Sequence, residues 1–91
     1  MMHPEEVKAL LAPSFPHADI TVADMTGTQD HFQIQIISDV FRGKMLIEQH
    51  QMVQKPLKEA MDDGRIHAIA IKTFTPESWE KENEGSLKII D

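Results

Sequence analysis

The sequence predicts an α/β chain of the α+β class, in the order α-β-β-α-β-α, whose three strands form one mixed sheet. Three observations carry that prediction. Residues 19–24 and 31–38 each alternate apolar with polar side chains, and the loop between them is too short for anything but an antiparallel hairpin. A longer segment then changes to helical spacing. A third alternating stretch follows it, the pattern of a crossover helix feeding a further strand.

Taking the elements in order, Pro4 suits the first turn of a helix, where its missing N–H is no loss. Glu5 and Glu6 complement the positive end of the dipole. Val7, Leu10 and Leu11 fall at helical spacing, so a short amphipathic helix is expected over residues 4–12, closed by Pro13 and Pro16. In the first strand Ile20 and Val22 face one way and Thr21 the other, and Thr26-Gly27-Thr28 marks the turn that follows. Phe32, Ile34 and Ile36, set against Gln33 and Gln35, give the second strand one buried and one wet face. Asp39–Lys44 turns around Gly43. Leu46, His50, Val53, Leu57 and Met61 then form the stripe of a helix packed on a sheet. Pro56 lies inside that helix, removes one backbone bond and is expected to kink it near Met52. Gly64 suits a left-handed cap after Asp62-Asp63. Ile66–Thr73 reads as the third strand, with Ile69 and Ile71 on one face and Ala68 and Ala70 on the other. Thr75 is the expected N-cap of a last helix, with Pro76 at its first position and Trp79 as its anchor.

At 91 residues the chain reads as one domain, residues 1–91, with a core over about 4–82 and a tail over 83–91. A content of 41% hydrophobic and 26% charged residues fits an ordinary globular chain and sets aside disordered, collagen-like and coiled-coil classes. No apolar run approaches the roughly 20 residues needed to span a bilayer. The first residues carry acid rather than a basic leader, so the cytosol is the expected compartment and no membrane role is expected. With no cysteine, the chain can form no disulfide, thiolate metal site or cysteine nucleophile.

A net charge of −6 argues against generic nucleic-acid binding, which draws on neutralised phosphates. The charge is uneven. Residues 42–72 carry Arg42, Lys44, Lys55, Lys58, Arg65 and Lys72 against Glu48, Glu59, Asp62 and Asp63, a mildly basic third between acidic flanks. A solvated helix face and a docking surface for an acidic partner both account for it.

Enzymatic templates are missing. Ser14, Ser38, Ser78 and Ser86 lack a G-x-S-x-G elbow, and glycines at 27, 43, 64 and 85 build neither a P-loop nor G-x-G-x-x-G. The chain is therefore expected not to be an enzyme. Five histidines are the compositional oddity. His3 and His17 lie at exposed ends, and His50 falls on the stripe of the long helix. His31 leaves a Gly-containing loop just before a strand, and His67 opens the third strand after Gly64-Arg65. If the second and third strands are parallel neighbours, both imidazoles lie at one end of the sheet. Two histidines do not complete a zinc site, and Asp24 and Asp30 are the only loop carboxylates at hand. Two imidazoles do match half of a [2Fe–2S] cluster whose other iron takes thiolates, the ligand split of a Rieske centre. On the spacing alone, two unrelated surface histidines are the plainer reading.

The segment Val40-Phe41-Arg42-Gly43-Lys44, the helix after it, and Arg65-Ile66-His67-Ala68-Ile69-Ala70-Ile71-Lys72-Thr73-Phe74-Thr75-Pro76 followed by Trp79 resemble the BolA family. Upstream, His31-Phe32-Gln33-Ile34 resembles the start of that family's second strand, and the likeness covers about residues 4–82. The resemblance implies a fold akin to a class II KH domain. It also implies a monothiol glutaredoxin as partner, with a glutathione-ligated [2Fe–2S] cluster shared between the two proteins and a role in iron–sulfur handling or iron homeostasis. Under it His67 matches the family's cluster ligand. His31 is the candidate second ligand, because the short, cysteine-free loop is similar to that of the IbaG type, and the basic middle third becomes a docking face. The family also implies a rival, transcriptional regulation through a helix-turn-helix-like surface, in which Arg42, Lys44 and Lys55 would contact DNA. An RNA-binding G-x-x-G clamp is missing, since Leu46 stands where its second glycine belongs. A homodimer and an adaptor whose histidines hold no metal are the remaining expectations.

Overall fold

Phe32, Ile34 and Ile36 are wholly buried, and the fold is arranged around that one face of a central strand. The computed structural model describes residues 2–82, so the tail expected over 83–91 lies outside the described residues. Its elements are α1 (Pro4–Leu11), β1 (Asp19–Asp24), β2 (His31–Ile37), α2 (Leu46–Gln54), α3 (Lys58–Asp62) and β3 (Ala68–Phe74). Residues 76–82 are helical and are called α4 here. The order in the sheet is β1-β2-β3. β1 runs antiparallel to β2, with Asp24 opposite Phe32, and β3 runs parallel to β2, with His31 opposite Ala68.

The helix starts follow local chemistry. The His3 N–H donates to Glu6 Oε1 at 3.0 Å, which satisfies a free donor at the start of α1. At α4 the Thr75 hydroxyl accepts from the Ser78 N–H at 3.2 Å, so Thr75 is the N-cap. Gly64 adopts φ +86°, the left-handed cap that ends α3. Val7, Leu11, Phe15, Val53, Leu57, Ala60 and Ile66 close over the apolar face of β2. The opposite face carries Gln33 and Gln35 on β2 and Ala68 and Ala70 on β3, and both alanines are exposed among the described residues.

Three expectations are corrected. The long helix is not one kinked rod. α2 stops at Gln54, a tight helical turn spans Lys55–Leu57, and α3 restarts at Lys58. Pro56 has no N–H to return to Met52, and the chain tightens into that turn around it. Nor does the apolar stripe begin at Leu46, which is 63% exposed. The inward positions are Gln49, Val53, Leu57 and Ala60, and the first of these is polar. The third strand begins at Ala68 rather than Ile66. Ile66 is nonetheless core, anchored by its N–H to the Ala60 carbonyl at 3.0 Å.

Candidate functional site

The parallel pairing of β2 and β3 puts both strand starts at one end of the sheet, and the two imidazoles expected to meet there do so. The rings of His31 and His67 have centroids 5.5 Å apart and are tilted by 33°. His67 is exposed and the His31 side chain is 39% exposed, so both are open to an incoming molecule. Two imidazoles on one metal ion, each with a metal–nitrogen distance of about 2.1 Å, have centroids roughly 5 Å apart, a separation close to that of this pair.

The preceding loop sets this geometry. Asp24 ends β1 and is consumed by the turn: Oδ1 accepts from the N–H groups of Thr26 (3.3 Å) and Gly27 (3.0 Å), and Oδ2 from Gln29 (3.0 Å). Gln29 stands at φ +62°, which reverses the chain toward β2. Asp30 then takes two positions at once. Its carboxylate lies 2.8 Å from His31 Nδ1 and accepts from the Thr28 hydroxyl. Its carbonyl accepts from the N–H of His67 at 2.7 Å and of Ala68 at 3.2 Å. The Thr28 hydroxyl first, and the His31 ring second, hold the Asp30 carboxyl below the usual carboxylate range. Among the described residues no group of three or more His, Cys, Asp or Glu is placed to hold a metal ion. Any cluster at this end needs further ligands from another molecule.

The other histidines stay apart from the pair. His50 is half-buried on α2 and His17 is exposed; His3 Nδ1 meets the Gln29 side-chain amide at 3.4 Å. The three residues considered for DNA contact are also elsewhere. Arg42 is engaged, its Nη2 lying 2.8 Å from Asp39 Oδ1 and 2.5 Å from Glu77 Oε1. That guanidinium holds Glu77 below the usual carboxylate range. Lys44 follows in the same loop, and Lys55 sits in the turn between α2 and α3. Lys58 pairs with Asp62 at 2.6 Å and Arg65 with Asp63 at 2.8 Å, so Arg42, Lys58 and Arg65 of the basic third are neutralised within the chain. β2 separates Arg42 and Lys44 from His31 by its full length, roughly 20 Å at about 3.3 Å per residue. Arg42 and Lys44 therefore lie at the far end of the sheet from the imidazoles, whereas Arg65 of the same basic third stands two residues before His67.

Pattern reasoning missed Gln49. Its amide donates to the carbonyls of Lys44 (2.9 Å) and Phe41 (3.3 Å), and its Oε1 accepts from the Thr73 hydroxyl at 2.5 Å. That side chain ties the loop before α2 to β3. Its only sequence signal is a polar residue one helical turn before Val53 on the inward face.

This arrangement defines a small α+β protein that presents two imidazoles side by side at one end of its sheet. Residues 5–78 match the family model described as BolA-like protein, and the chain belongs to the BolA family. It is 30% identical over 83 residues to the acid stress protein IbaG of Escherichia coli strain K12, covering 91% of this chain and 95% of that one. It is 37% identical over 65 residues to a BolA-like protein of Dictyostelium discoideum, covering 71% of this chain but only 57% of that longer relative. The crystal structure of a Bol-like protein from Babesia bovis superposes with a TM-score of 0.78 at 28% identity, over 91% of this chain and 95% of that chain. Among the described residues no helix is long and apolar enough to cross a membrane.

Proposed function

We propose that this chain is a non-enzymatic partner of a monothiol glutaredoxin in the cytoplasm, sharing a [2Fe–2S] cluster with it in iron–sulfur handling or iron homeostasis. The observation that supports the reading most is the exposed imidazole pair, with ring centroids 5.5 Å apart at the start of two parallel strands. In this reading His67 and His31 bind one iron, and the glutaredoxin and glutathione supply thiolates to the other. The donor set fits, because a neutral imidazole binds iron through a ring nitrogen and no cysteine of this chain is required. The partner approaches the loop over residues 25–30 and the turn before β3, not the far end where Arg42 is already paired.

The test is a titration of [2Fe–2S]-loaded monothiol glutaredoxin with this protein, followed by visible circular dichroism. A new spectrum is expected, lost in His67→Ala and weakened in His31→Ala, with both variants folded. A spectrum that survives His67→Ala sinks the ligand assignment. Clean binding with no new spectrum would leave an adaptor whose histidines hold no metal.

A further inference from the structure

We propose that Asp30 is a positioning residue: its carboxylate holds His31 with the hydrogen on Nδ1, so that Nε2 keeps its lone pair free. The inference rests on the cluster reading and adds to it a residue that is not itself a ligand. The argument is one of hydrogen counting. An ionised carboxylate can only accept, so the 2.8 Å contact between Asp30 Oδ1 and His31 Nδ1 requires the hydrogen on the ring. A neutral imidazole carries one N–H, and once Nδ1 has it, Nε2 is the acceptor and the metal-binding atom. In water a free histidine prefers the other tautomer, so this contact reverses the default.

The same carboxylate is itself held in place. Thr28 spends its hydroxyl hydrogen on Asp30, so the 2.5 Å contact between Thr26 Oγ1 and Thr28 Oγ1 is donated by Thr26. A chain of two hydroxyls, one carboxylate and one imidazole therefore runs through the loop and ends at His31. The main chain of Asp30 does a second job, accepting from the His67 N–H at 2.7 Å and fixing where the other imidazole begins. Asp24, the other loop carboxylate, has no such freedom, because both its oxygens are taken by turn N–H groups. Carboxylate partners on ligating histidines fix the tautomer and ring orientation in metal sites generally, and their loss weakens metal affinity by about 10–100-fold.

Substituting the side chain leaves the main-chain bonds to His67 in place, so Asp30→Ala isolates the carboxylate. Two readouts are compared in the wild type, Asp30→Ala and Asp30→Asn: the His31 tautomer in the free chain, by long-range proton–nitrogen correlation at a pH where the ring is neutral, and the visible circular dichroism of the mixed cluster with loaded monothiol glutaredoxin. The wild type is expected to show Nδ1–H. Asp30→Ala is expected to move His31 toward Nε2–H and to raise the protein concentration needed for the mixed cluster by about 10–100-fold, with thermal unfolding unchanged. Asp30→Asn, whose amide can accept through oxygen or donate through nitrogen, no longer fixes the tautomer and is expected to fall between the wild type and Asp30→Ala. Wild-type Nε2–H, a tautomer indifferent to Asp30→Ala, or a mixed cluster equally tight in Asp30→Ala would each overturn the proposal. If no mixed cluster forms in the wild type while the tautomer still answers to Asp30, the cluster reading falls and the hold of Asp30 on His31 stands.

Discussion

The two ends of the β2–β3 pair are built from different materials. Where the strands finish, the chain is packed: Phe41 is buried against Phe15 with centroids 5.6 Å apart, and Phe74 meets Trp79 edge-on at 5.2 Å. Gln49 stitches the loop before α2 onto β3, and the Ser38 N–H donates to the Phe74 carbonyl at 2.9 Å. Where the strands begin, the loop over residues 25–30 is held by hydrogen bonds to Asp24 and Asp30, and the two imidazoles stand open. The lesson is a division of labour. Aromatic pairs stabilise the end away from the imidazoles, so the two rings can stay solvent-exposed without weakening the fold.

The sharpest way to break that comparison is to cut each end once. Phe41→Ala removes a side chain that is 1% exposed and leaves a cavity beside Phe15, an expected loss of about 3–5 kcal/mol in urea unfolding. For a domain of this size that is a large share of the total stability. His67→Ala removes an exposed ring with no side-chain hydrogen bond among the described residues and is expected to shift stability by no more than about 0.5 kcal/mol. Comparable losses from the two would show that the imidazole pair is structural.

Gln49→Ala should fall between them. It leaves the carbonyls of Phe41 and Lys44 and the Thr73 hydroxyl without their partner in a part-buried place, an expected cost of about 1–2 kcal/mol. Amide hydrogen exchange should quicken over residues 41–49 while residues 25–31 are unaffected. Faster exchange at both ends would mean that the ends are not independent.

What could be read in advance follows the same division. β2 was legible because strict alternation admits one register, and burial of Phe32, Ile34 and Ile36 against half-exposed Gln33 and Gln35 is that register realised. The meeting of His31 and His67 was legible too, since it depends only on β2 and β3 being parallel. The start of the long helix was not. Leu46 looks like a core position on hydropathy alone, but the helix is rotated so that Gln49 turns inward, and a polar residue satisfied by backbone carbonyls is invisible to an apolar stripe. The role of Asp30 was equally hidden. Asp24 and Asp30 look interchangeable in a short polar loop, and only the backbone reversal at Gln29 decides which of them reaches a histidine.

The smallest expected effect concerns the ion pair at the packed end. Glu77 is held below the usual carboxylate range by hydrogen bonds from Arg42, so its contribution is present at neutral pH and is lost as pH falls through its lowered folded-state value. Glu77→Gln should therefore be slightly less stable than the wild type at pH 7, and the two should converge once pH falls below the lowered folded-state value of Glu77, where the carboxyl is protonated in both states. Both side chains are more than half exposed, 57% for Arg42 and 67% for Glu77, and Asp39 remains to hold the guanidinium. The difference should for the same reason shrink in about 1 M salt, where charges are screened within about 3 Å. Thermal unfolding at both pH values and both salt concentrations measures it. A loss as large as that of Phe41→Ala would mean that charge, not aromatic packing, holds the end where β2 and β3 finish, and the contrast between the two ends would have to be redrawn.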